Sequence, residues 1–208
     1  MTIDRSGQSA GFILAGGRSS RMGRDKAMLE IDGVTMLERA IDLVRRSGVE
    51  PAIVGSFDEI PRGASVREIP DDWPGAGPLG GIATALHGTR TSSNLVMACD
   101  MPYLTQGWLE FLLRRARASD HIDAIVPMNV RGPEPLCAVY HQRAEPRIRQ
   151  ALESGIRKIT DALVELQIDY VERDEWKAFD SDGLLFKNMN RPADYAEAQA
   201  ILSRRAQK

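Results

Sequence analysis

The sequence predicts an α/β fold in which helices flank a mostly parallel sheet, giving three layers. Short apolar runs alternate with longer segments of helical periodicity, and this order is typical of parallel sheets. A chain of 208 residues with 43% hydrophobic residues is large enough to bury such a core. The predicted strands cover residues 11–14, 51–55, 65–69, 94–98, 123–127 and 136–141.

The predicted helices have suitable residues at their ends. Thr35 and Glu38 form a capping-box pattern before the first helix, and Gly48 favours its end. The apolar face of this helix is Leu37, Ala40, Ile41 and Val44. Thr105 caps another helix, whose apolar stripe is Trp108, Leu109, Leu112 and Leu113. A last helix covers residues 192–205 and has Pro192 in its first turn.

Composition excludes several classes of protein. The net charge is −2, so no overall basic field favours nucleic acid or an anionic membrane surface. No apolar run is long enough to span a bilayer, and residues 1–9 lack a signal-peptide core, so we expect a disordered tail there. Cys99 and Cys137 lie in segments typical of buried strands, which favours a reducing, cytoplasmic location without disulfides. The histidines show no zinc-binding spacing.

The segment from Leu14 to Lys26 carries the clearest chemical signal. Gly16 and Gly17 let the backbone turn sharply after the first strand, and N–H groups in such a turn can form a concave anion site. Arg21 and Lys26 add two cations. The segment lacks both the Walker Lys-Ser/Thr pair and the Gly-x-Gly-x-x-Gly fingerprint. We interpret it as a polyphosphate-binding loop; a glycine-rich surface turn with solvated cations is the alternative.

A carboxylate at the end of a central strand is the second signal. Residues 94–98 form a buried strand, Asp100 follows, and Pro102 turns the chain away. Ligands of open α/β sheets bind beyond the carboxyl ends of the strands, where Asp100 is expected. A single carboxylate beside phosphates suits Mg²⁺, which keeps most of its waters. Capping of the following turn is the alternative role.

A long loop rich in Pro, Gly and Asp covers residues 70–78, and such loops inside α/β domains are often functional. Gly80 and Gly81 are predicted to open a helix over residues 82–88, with N–H groups that could face a nucleotide. Taken alone, Asp71 and Asp72 would more often form a solvated turn.

Residues 14–26 read Leu-Ala-Gly-Gly-Arg-Ser-Ser-Arg-Met-Gly-Arg-Asp-Lys, which resembles the signature loop of the molybdenum cofactor guanylyltransferases. Further matches follow in order over residues 10–200. The resemblance implies a three-layer, Rossmann-like nucleotidyltransferase fold of the GT-A-like type. It also implies one domain over residues 10–208, with a nucleotide-binding half near residues 10–105 and a molybdopterin half near residues 106–208.

The resemblance also assigns the nucleotide side. It implies catalytic roles for Arg21, Lys26 and Asp100, with Asp100 as the ligand of Mg²⁺. The family has an aspartate just after its third strand that contacts the guanine nucleotide; the spacing in this chain favours Asp71, and Asp72 stays an alternative. The implied nucleotide contacts are Leu14, Ala15, Gly16, Gly17, Arg21, Lys26, Gly55, Asp71, Gly80 and Asp100.

On the molybdopterin side, the loop at residues 132–138 and the Asn-Met-Asn segment at 188–190 resemble family segments. The implied contacts are Pro135, Leu136, Arg157, Lys158, Asn188 and Asn190. For Arg157 and Lys158, a solvated helix start is the alternative. The chain departs from the family twice. Gly55 and Ser56 stand where asparagine is frequent, so that contact is lost or moves to Ser56. Arg191 replaces a threonine, which leaves the capping of the last helix open.

The implied reaction transfers GMP from GTP to molybdopterin cofactor, giving molybdopterin guanine dinucleotide and pyrophosphate in the presence of Mg²⁺. Other nucleotidyltransferases are the alternative, either a CTP-dependent molybdopterin cytidylyltransferase or a sugar-phosphate enzyme. A non-catalytic nucleotide-binding regulator is a rival of another class. The expected partners are GTP and molybdopterin cofactor, with transient contacts to cofactor-biosynthesis proteins or acceptor molybdoenzymes. We expect a monomer or weak homo-oligomer.

Overall fold

The computed structural model describes residues 9–15, 26–55, 66–119 and 121–206. The strands are β1 (Ser9–Leu14), β2 (Glu30–Ile31), β3 (Val34–Thr35), β4 (Glu50–Val54), β5 (Arg67–Ile69), β6 (Ser93–Ala98), β7 (Ala124–Asn129), β8 (Gly132–Pro133), β9 (Cys137–His141) and β10 (Ile168–Val171). The α-helices are α1 (Met36–Arg46), α2 (Pro78–His87), α3 (Gln106–Arg117), α4 (Glu145–Glu153), α5 (Ile159–Ala162), α6 (Arg173–Trp176) and α7 (Pro192–Ala206). The 3₁₀ turns are Lys26–Met28, Gln142–Ala144, Leu163–Glu165 and Lys177–Phe179.

Strands from both halves of the chain join one sheet in the order β10-β7-β9-β6-β1-β4-β5, and β8 pairs with β7. Only β9 in this path runs antiparallel to its neighbours. The strands β1, β4, β5, β6, β7 and β10 are therefore parallel to one another. Their carboxyl ends meet along one side of the sheet, which we call the carboxyl edge. The predicted mostly parallel, mixed sheet is confirmed.

Helices cover both faces of the sheet and form the predicted three layers. On one face, α1 and α3 pack through side chains such as Leu37 and Trp108. On the other face, α2 and α4 pack through side chains such as Ile82 and Ile148. A third cluster joins α7 to the β2–β3 hairpin around Ile31 and contains Met189 and Ala198.

The first helix shows how local sequence sets the packing. The Thr35 hydroxyl accepts from the Glu38 N–H and the Glu38 carboxylate accepts from the Thr35 N–H, so the predicted capping box is formed. Gly48 follows the helix with a φ of +82°. Gly11 lets α1 approach β1 closely, because a Cβ at this position would lie 2.3 Å from Val44 Cγ1.

Some predicted boundaries were wrong. The helix predicted over residues 82–88 begins at Pro78, because proline suits the first helical position, where its missing N–H is not needed. The predicted disordered tail over residues 1–9 was wrong at Ser9, which pairs with Ser93 in the sheet; residues 1–8 lie outside the described ranges. The short strands β2, β3, β8 and β10 were not predicted. Cys99 and Cys137 are buried and unbridged, and no helix in the described ranges is long and apolar enough to cross a membrane.

Candidate nucleotide-binding and catalytic site

The ends of four adjacent strands are joined by backbone hydrogen bonds at the carboxyl edge. The Ala15 N–H donates to Val54 O at 3.2 Å, and the Cys99 N–H donates to Leu14 O at 3.3 Å. The Gly55 N–H donates to Ile69 O at 3.1 Å. Leu14, Ala15 and Gly55 therefore lie together at the carboxyl edge, beside the segment that carries Asp100, and their contacts with a nucleotide stay a prediction. The N–H groups of Ala15 and Gly55 are already used within the sheet edge.

Lys26, Asp100 and Asn190 meet at this edge although they are far apart in sequence. The Lys26 ammonium donates to Asp100 Oδ2 at 3.0 Å and to Asn190 Oδ1 at 2.7 Å. The side chains of Lys26 and Asp100 are 19% and 18% exposed, so both are largely shielded from water. The Met189 N–H also donates to Asp100 O at 2.9 Å and fixes the C-terminal segment against the strand end.

Lys26 is held at the start of a short 3₁₀ turn. It opens the 3₁₀ turn Lys26–Met28, and its carbonyl accepts from the Leu29 N–H at 3.2 Å. Leu29 O in turn accepts from the Met36 N–H at the start of α1. Gly16, Gly17, Arg21 and Ser56, which the sequence also singles out, lie outside the described residues.

The oxygen atoms around Lys26 suit a hard divalent cation. Asp100 supplies a carboxylate of which Lys26 engages one oxygen, and Asn190 supplies an amide oxygen. Mg²⁺ takes one or two protein oxygens and otherwise keeps its waters. No group of three or more His, Cys, Asp or Glu side chains that could enclose a metal occurs in the described ranges. The donor set thus fits a cation shared with a phosphate ligand.

Asp71 adopts the turn role that the sequence left open. Its Oδ1 accepts from the Trp73 N–H at 2.9 Å and from the Thr84 hydroxyl at 3.2 Å. The Asp72 N–H donates to the same Thr84 oxygen at 3.1 Å, and the Asp72 side chain is exposed. The two aspartates therefore fix the loop after β5 to α2. In Asp71 only Oδ2 stays available for a ligand.

Gly80 has a packing role that the sequence interpretation missed. It lies inside α2, and its N–H donates to Gly77 O at 3.0 Å rather than facing a ligand. A Cβ at Gly80 would meet Trp73 Cβ at 2.9 Å and Trp73 O at 3.0 Å. The expectation that the Gly80–Gly81 pair opens the helix was therefore wrong, and Gly80 lets the loop at residues 71–77 pack onto α2.

The predicted molybdopterin-side residues lie partly at the same edge. Leu136 O accepts from the Ala98 N–H at 2.9 Å, which places the loop before β9 beside the end of β6. Pro135 O accepts from the Tyr140 hydroxyl at 2.9 Å. Asn188 Oδ1 is buried and has no hydrogen-bond partner among the described residues. It is an acceptor without a donor, next to the segment that holds Asp100.

Arg157 and Lys158 have local partners. The Arg157 guanidinium donates to Leu152 O at 2.8 Å and to Ile156 O at 2.9 Å, so it satisfies carbonyls at the end of α4. Lys158 forms an ion pair with Asp161 at 3.4 Å. Both side chains are exposed. They lie towards the carboxyl edge, because α4 follows the antiparallel β9 and runs back along the sheet.

The sequence analysis assigned no role to two carboxylates, Asp194 and Glu134. Asp194 Oδ2 accepts from the Asn190 and Arg191 N–H groups at 2.9 and 2.8 Å, and these bonds answer the open question of how α7 is capped. Glu134 lies between two prolines at the end of β8, and burial raises its pKa to about 7, although Arg131 and a hydrogen bond from Asn129 act in the opposite direction. Its position in Pro-Glu-Pro was the only sequence signal.

The sequence-family model described as the MobA-like NTP transferase domain matches residues 11–167. The chain belongs to the MobA-like NTP transferase family. A protein of Pelotomaculum thermopropionicum, named as a probable molybdenum cofactor guanylyltransferase, is 32% identical over 194 residues, which is 93% of each chain. The resemblance stated from the sequence is confirmed.

Solved structures agree with the family assignment. The crystal structure of molybdopterin-guanine dinucleotide biosynthesis protein A from Archaeoglobus fulgidus superposes with a TM-score of 0.81 at 28% identity, covering 95% of this chain and all of that one. The 2-C-methyl-D-erythritol 4-phosphate cytidylyltransferase of Thermus thermophilus shares the fold at a TM-score of 0.67 and 16% identity, covering 92% of this chain and 98% of that one. This MobA-like chain therefore has the nucleotidyltransferase fold that its sequence predicted.

Proposed function

We propose that the protein transfers GMP from GTP to molybdopterin cofactor, giving molybdopterin guanine dinucleotide and pyrophosphate. The contact between Lys26 and Asp100 at the carboxyl edge carries this proposal, because it joins the end of the phosphate-binding loop to the carboxylate after β6. Relatives that bear the name of this activity match the chain over nearly its whole length. A CTP-dependent enzyme of the same fold is the main alternative.

The reaction needs positioning and charge stabilisation rather than a catalytic base. A terminal phosphate oxygen of molybdopterin is already ionised at neutral pH and can attack the α-phosphorus of GTP directly. Charge then accumulates on the phosphoryl oxygens and on the departing pyrophosphate. Lys26 supplies a fixed positive charge beside the α-phosphate, and Asn190 holds its ammonium in place. We assign the leaving pyrophosphate to Arg21 and to the N–H groups of Gly16 and Gly17.

Asp100 is the residue that would hold a divalent cation, which we propose to be Mg²⁺. When bound there, such an ion would supply neutralisation of phosphate charge. On the nucleotide side we assign guanine recognition to the loop at residues 71–77, with Asp71 Oδ2 or the exposed Asp72 carboxylate accepting from N1–H and the 2-amino group. Such a donor–acceptor match rejects adenine, because buried polar groups would stay unpaired.

The test compares the Lys26–Asp100 pair at the carboxyl edge with an exposed Lys–Asp pair elsewhere on the protein. Lys26→Met and Asp100→Asn each remove one electrostatic contact, so the rate of guanylyl transfer should fall by about 10²–10³. Lys177→Met and Asp174→Asn are matched controls, since this pair is ion-paired at 2.6 Å and both side chains are largely exposed. The readout is mass-spectrometric detection of the dinucleotide together with pyrophosphate release. Equal rates for the edge variants and the controls would remove Lys26 and Asp100 from catalysis.

Nucleotide binding separates the remaining alternatives. The purified chain is titrated with GTP, CTP, ATP and UTP, each with Mg²⁺. Selective GTP binding with product formation supports guanylyl transfer, and selective CTP binding refutes it in favour of a cytidylyltransferase. Selective GTP binding without any pyrophosphate release in the presence of molybdopterin would instead identify a non-catalytic regulator.

A further inference from the structure

Glu134 occupies the carboxyl edge on the side opposite the nucleotide loops. Its N–H donates to Pro127 O at 2.8 Å, and its carbonyl accepts from the Cys137 N–H at 3.2 Å, so its backbone is fixed between β7 and β9. Only β9 separates β7 from β6, the strand that leads to Asp100. Two residues after Glu134, Leu136 O accepts from the Ala98 N–H at 2.9 Å, so the segment that carries Glu134 adjoins the end of β6.

The carboxylate of Glu134 is held in place but only partly used. Asn129 Nδ2 donates to its Oε1, and Asn129 Oδ1 in turn accepts from the Arg131 N–H. Within the described residues Oε2 has no hydrogen bond, and the side chain is half-buried. A carboxylate offers about four lone-pair sites on its two oxygens. The Glu134 carboxylate is thus oriented by the Asn129 amide and keeps most of its acceptor sites.

Burial of this carboxylate is costly unless a ligand compensates it. Burial raises the pKa of Glu134 to about 7, so the surroundings disfavour the charged form. A purely structural hydrogen bond to Asn129 could be made by an uncharged glutamine. Two N–H donors from a ligand would restore the missing stabilisation of the charged form.

We propose that Glu134 is a specificity-determining residue that accepts hydrogen bonds from the pyrimidine edge of the pterin in the second substrate. This inference rests on the proposed function, since it deepens the identity of the second substrate. A pterin presents two adjacent donors on that edge, the ring N3–H and the exocyclic 2-amino group. A carboxylate fork matches such a donor pair with two parallel bonds, as it does for a guanidinium. Position at the carboxyl edge, a fixed orientation and free acceptor sites all meet in this one side chain.

The experiment uses two small probes that differ at the position in question. Pterin carries the 2-amino donor, whereas lumazine carries a carbonyl acceptor there. Binding of each probe to the full-length protein is measured by ligand-observed NMR and by fluorescence titration. We expect the wild-type protein to prefer pterin by about tenfold, because lumazine keeps the N3–H donor but turns a carbonyl oxygen towards the second carboxylate oxygen, which then stays unpaired. Glu134→Gln should abolish this preference by weakening pterin binding alone. Glu153→Gln, at the exposed end of α4, is the matched control.

Each outcome decides the question. Loss of the pterin preference in Glu134→Gln, with lumazine and GTP affinity unchanged, supports the assignment. An unchanged preference refutes it and leaves the proposed function intact. Equal weakening of both probes shows that Glu134 is structural and also refutes it. If the wild-type protein binds GTP but neither probe, the pterin substrate of the proposed function is wrong, and the role of Glu134 is wrong with it.

Discussion

Asn190 is expected to act on catalysis through Lys26, and a double-mutant cycle can show this. Asn190→Ala removes the acceptor that lies 2.7 Å from the Lys26 ammonium. A hydrogen bond to a charged group contributes about 1.5–3 kcal/mol, and the exposure of Asn190 favours the lower end of this range. About 1.4 kcal/mol of transition-state stabilisation corresponds to a tenfold loss in rate, so Asn190→Ala alone should slow the reaction about tenfold. Lys26→Met alone should lose about 10²–10³.

The cycle is read in kcat/KM for guanylyl transfer. If Asn190 only orients Lys26, its removal has no further effect once the ammonium is gone, and the double variant equals Lys26→Met. Gln199→Ala, which removes an exposed side-chain amide from the nearby helix α7, is the control. A double variant about ten times slower than Lys26→Met would show independent action, as the sequence-based assignment of Asn190 to molybdopterin requires. That result would refute a purely orienting role for Asn190.

Three further predictions concern the packing and charge around the site. Gly80→Ala should lower the unfolding free energy by about 1–2 kcal/mol in urea titrations and weaken nucleotide binding, because its Cβ would meet backbone atoms of the preceding loop. Gly81→Ala is the control and should be close to neutral, because its Cβ would meet only flexible Leu14 side-chain atoms. Gly11→Ala should lower the free energy of unfolding by about 1–3 kcal/mol, and adding Val44→Ala should recover most of this loss because it removes the clashing methyl groups. Fully additive losses of the two substitutions in urea unfolding would show that the two sites do not touch. The pKa of Glu134 in the folded protein is about 7, above the ordinary 4.5. Protonation of Glu134 therefore stabilises the folded state fully below pH 4.5, and this contribution is lost as the pH rises through 7. Glu134→Gln should therefore be more stable than wild type by about 1 kcal/mol in thermal unfolding above pH 7, and a difference that does not vary with pH would contradict the raised pKa.

The sequence could predict that Lys26 and Asp100 lie close together at the carboxyl edge, because two independent constraints lead to the same conclusion. A glycine-rich loop after β1 and a carboxylate after β6 must approach each other once both strands are parallel neighbours, and β1 and β6 do pair in register. The capping box of α1 was equally predictable, since it depends on residues three positions apart.

Other features depend on contacts that no local pattern reports. Two-residue strands such as β2, β3 and β8 are too short to show periodicity. The antiparallel direction of β9 leaves no trace in a strand whose residues are all buried. The contact between Lys26 and Asn190 spans 164 residues and exists only after the last segment has packed. Asp71 forms the turn through Oδ1, which accepts from Trp73 and Thr84, and its guanine contact through Oδ2 stays a prediction.

The C-terminal segment changes how the two halves of the chain should be viewed. Asn190 belongs by sequence to the molybdopterin half, yet its side chain holds the ammonium that we assign to the α-phosphate. The Tyr195 hydroxyl donates to Glu30 O at 2.5 Å, and α7 packs on the β2–β3 hairpin that follows Lys26. Any displacement of residues 188–190 by the second substrate must therefore move a hydrogen-bond partner of Lys26. Under the proposed function, the bond to Asn190 would give the molybdopterin side a direct physical means of influencing Lys26, the group that we assign to charge stabilisation at the nucleotide.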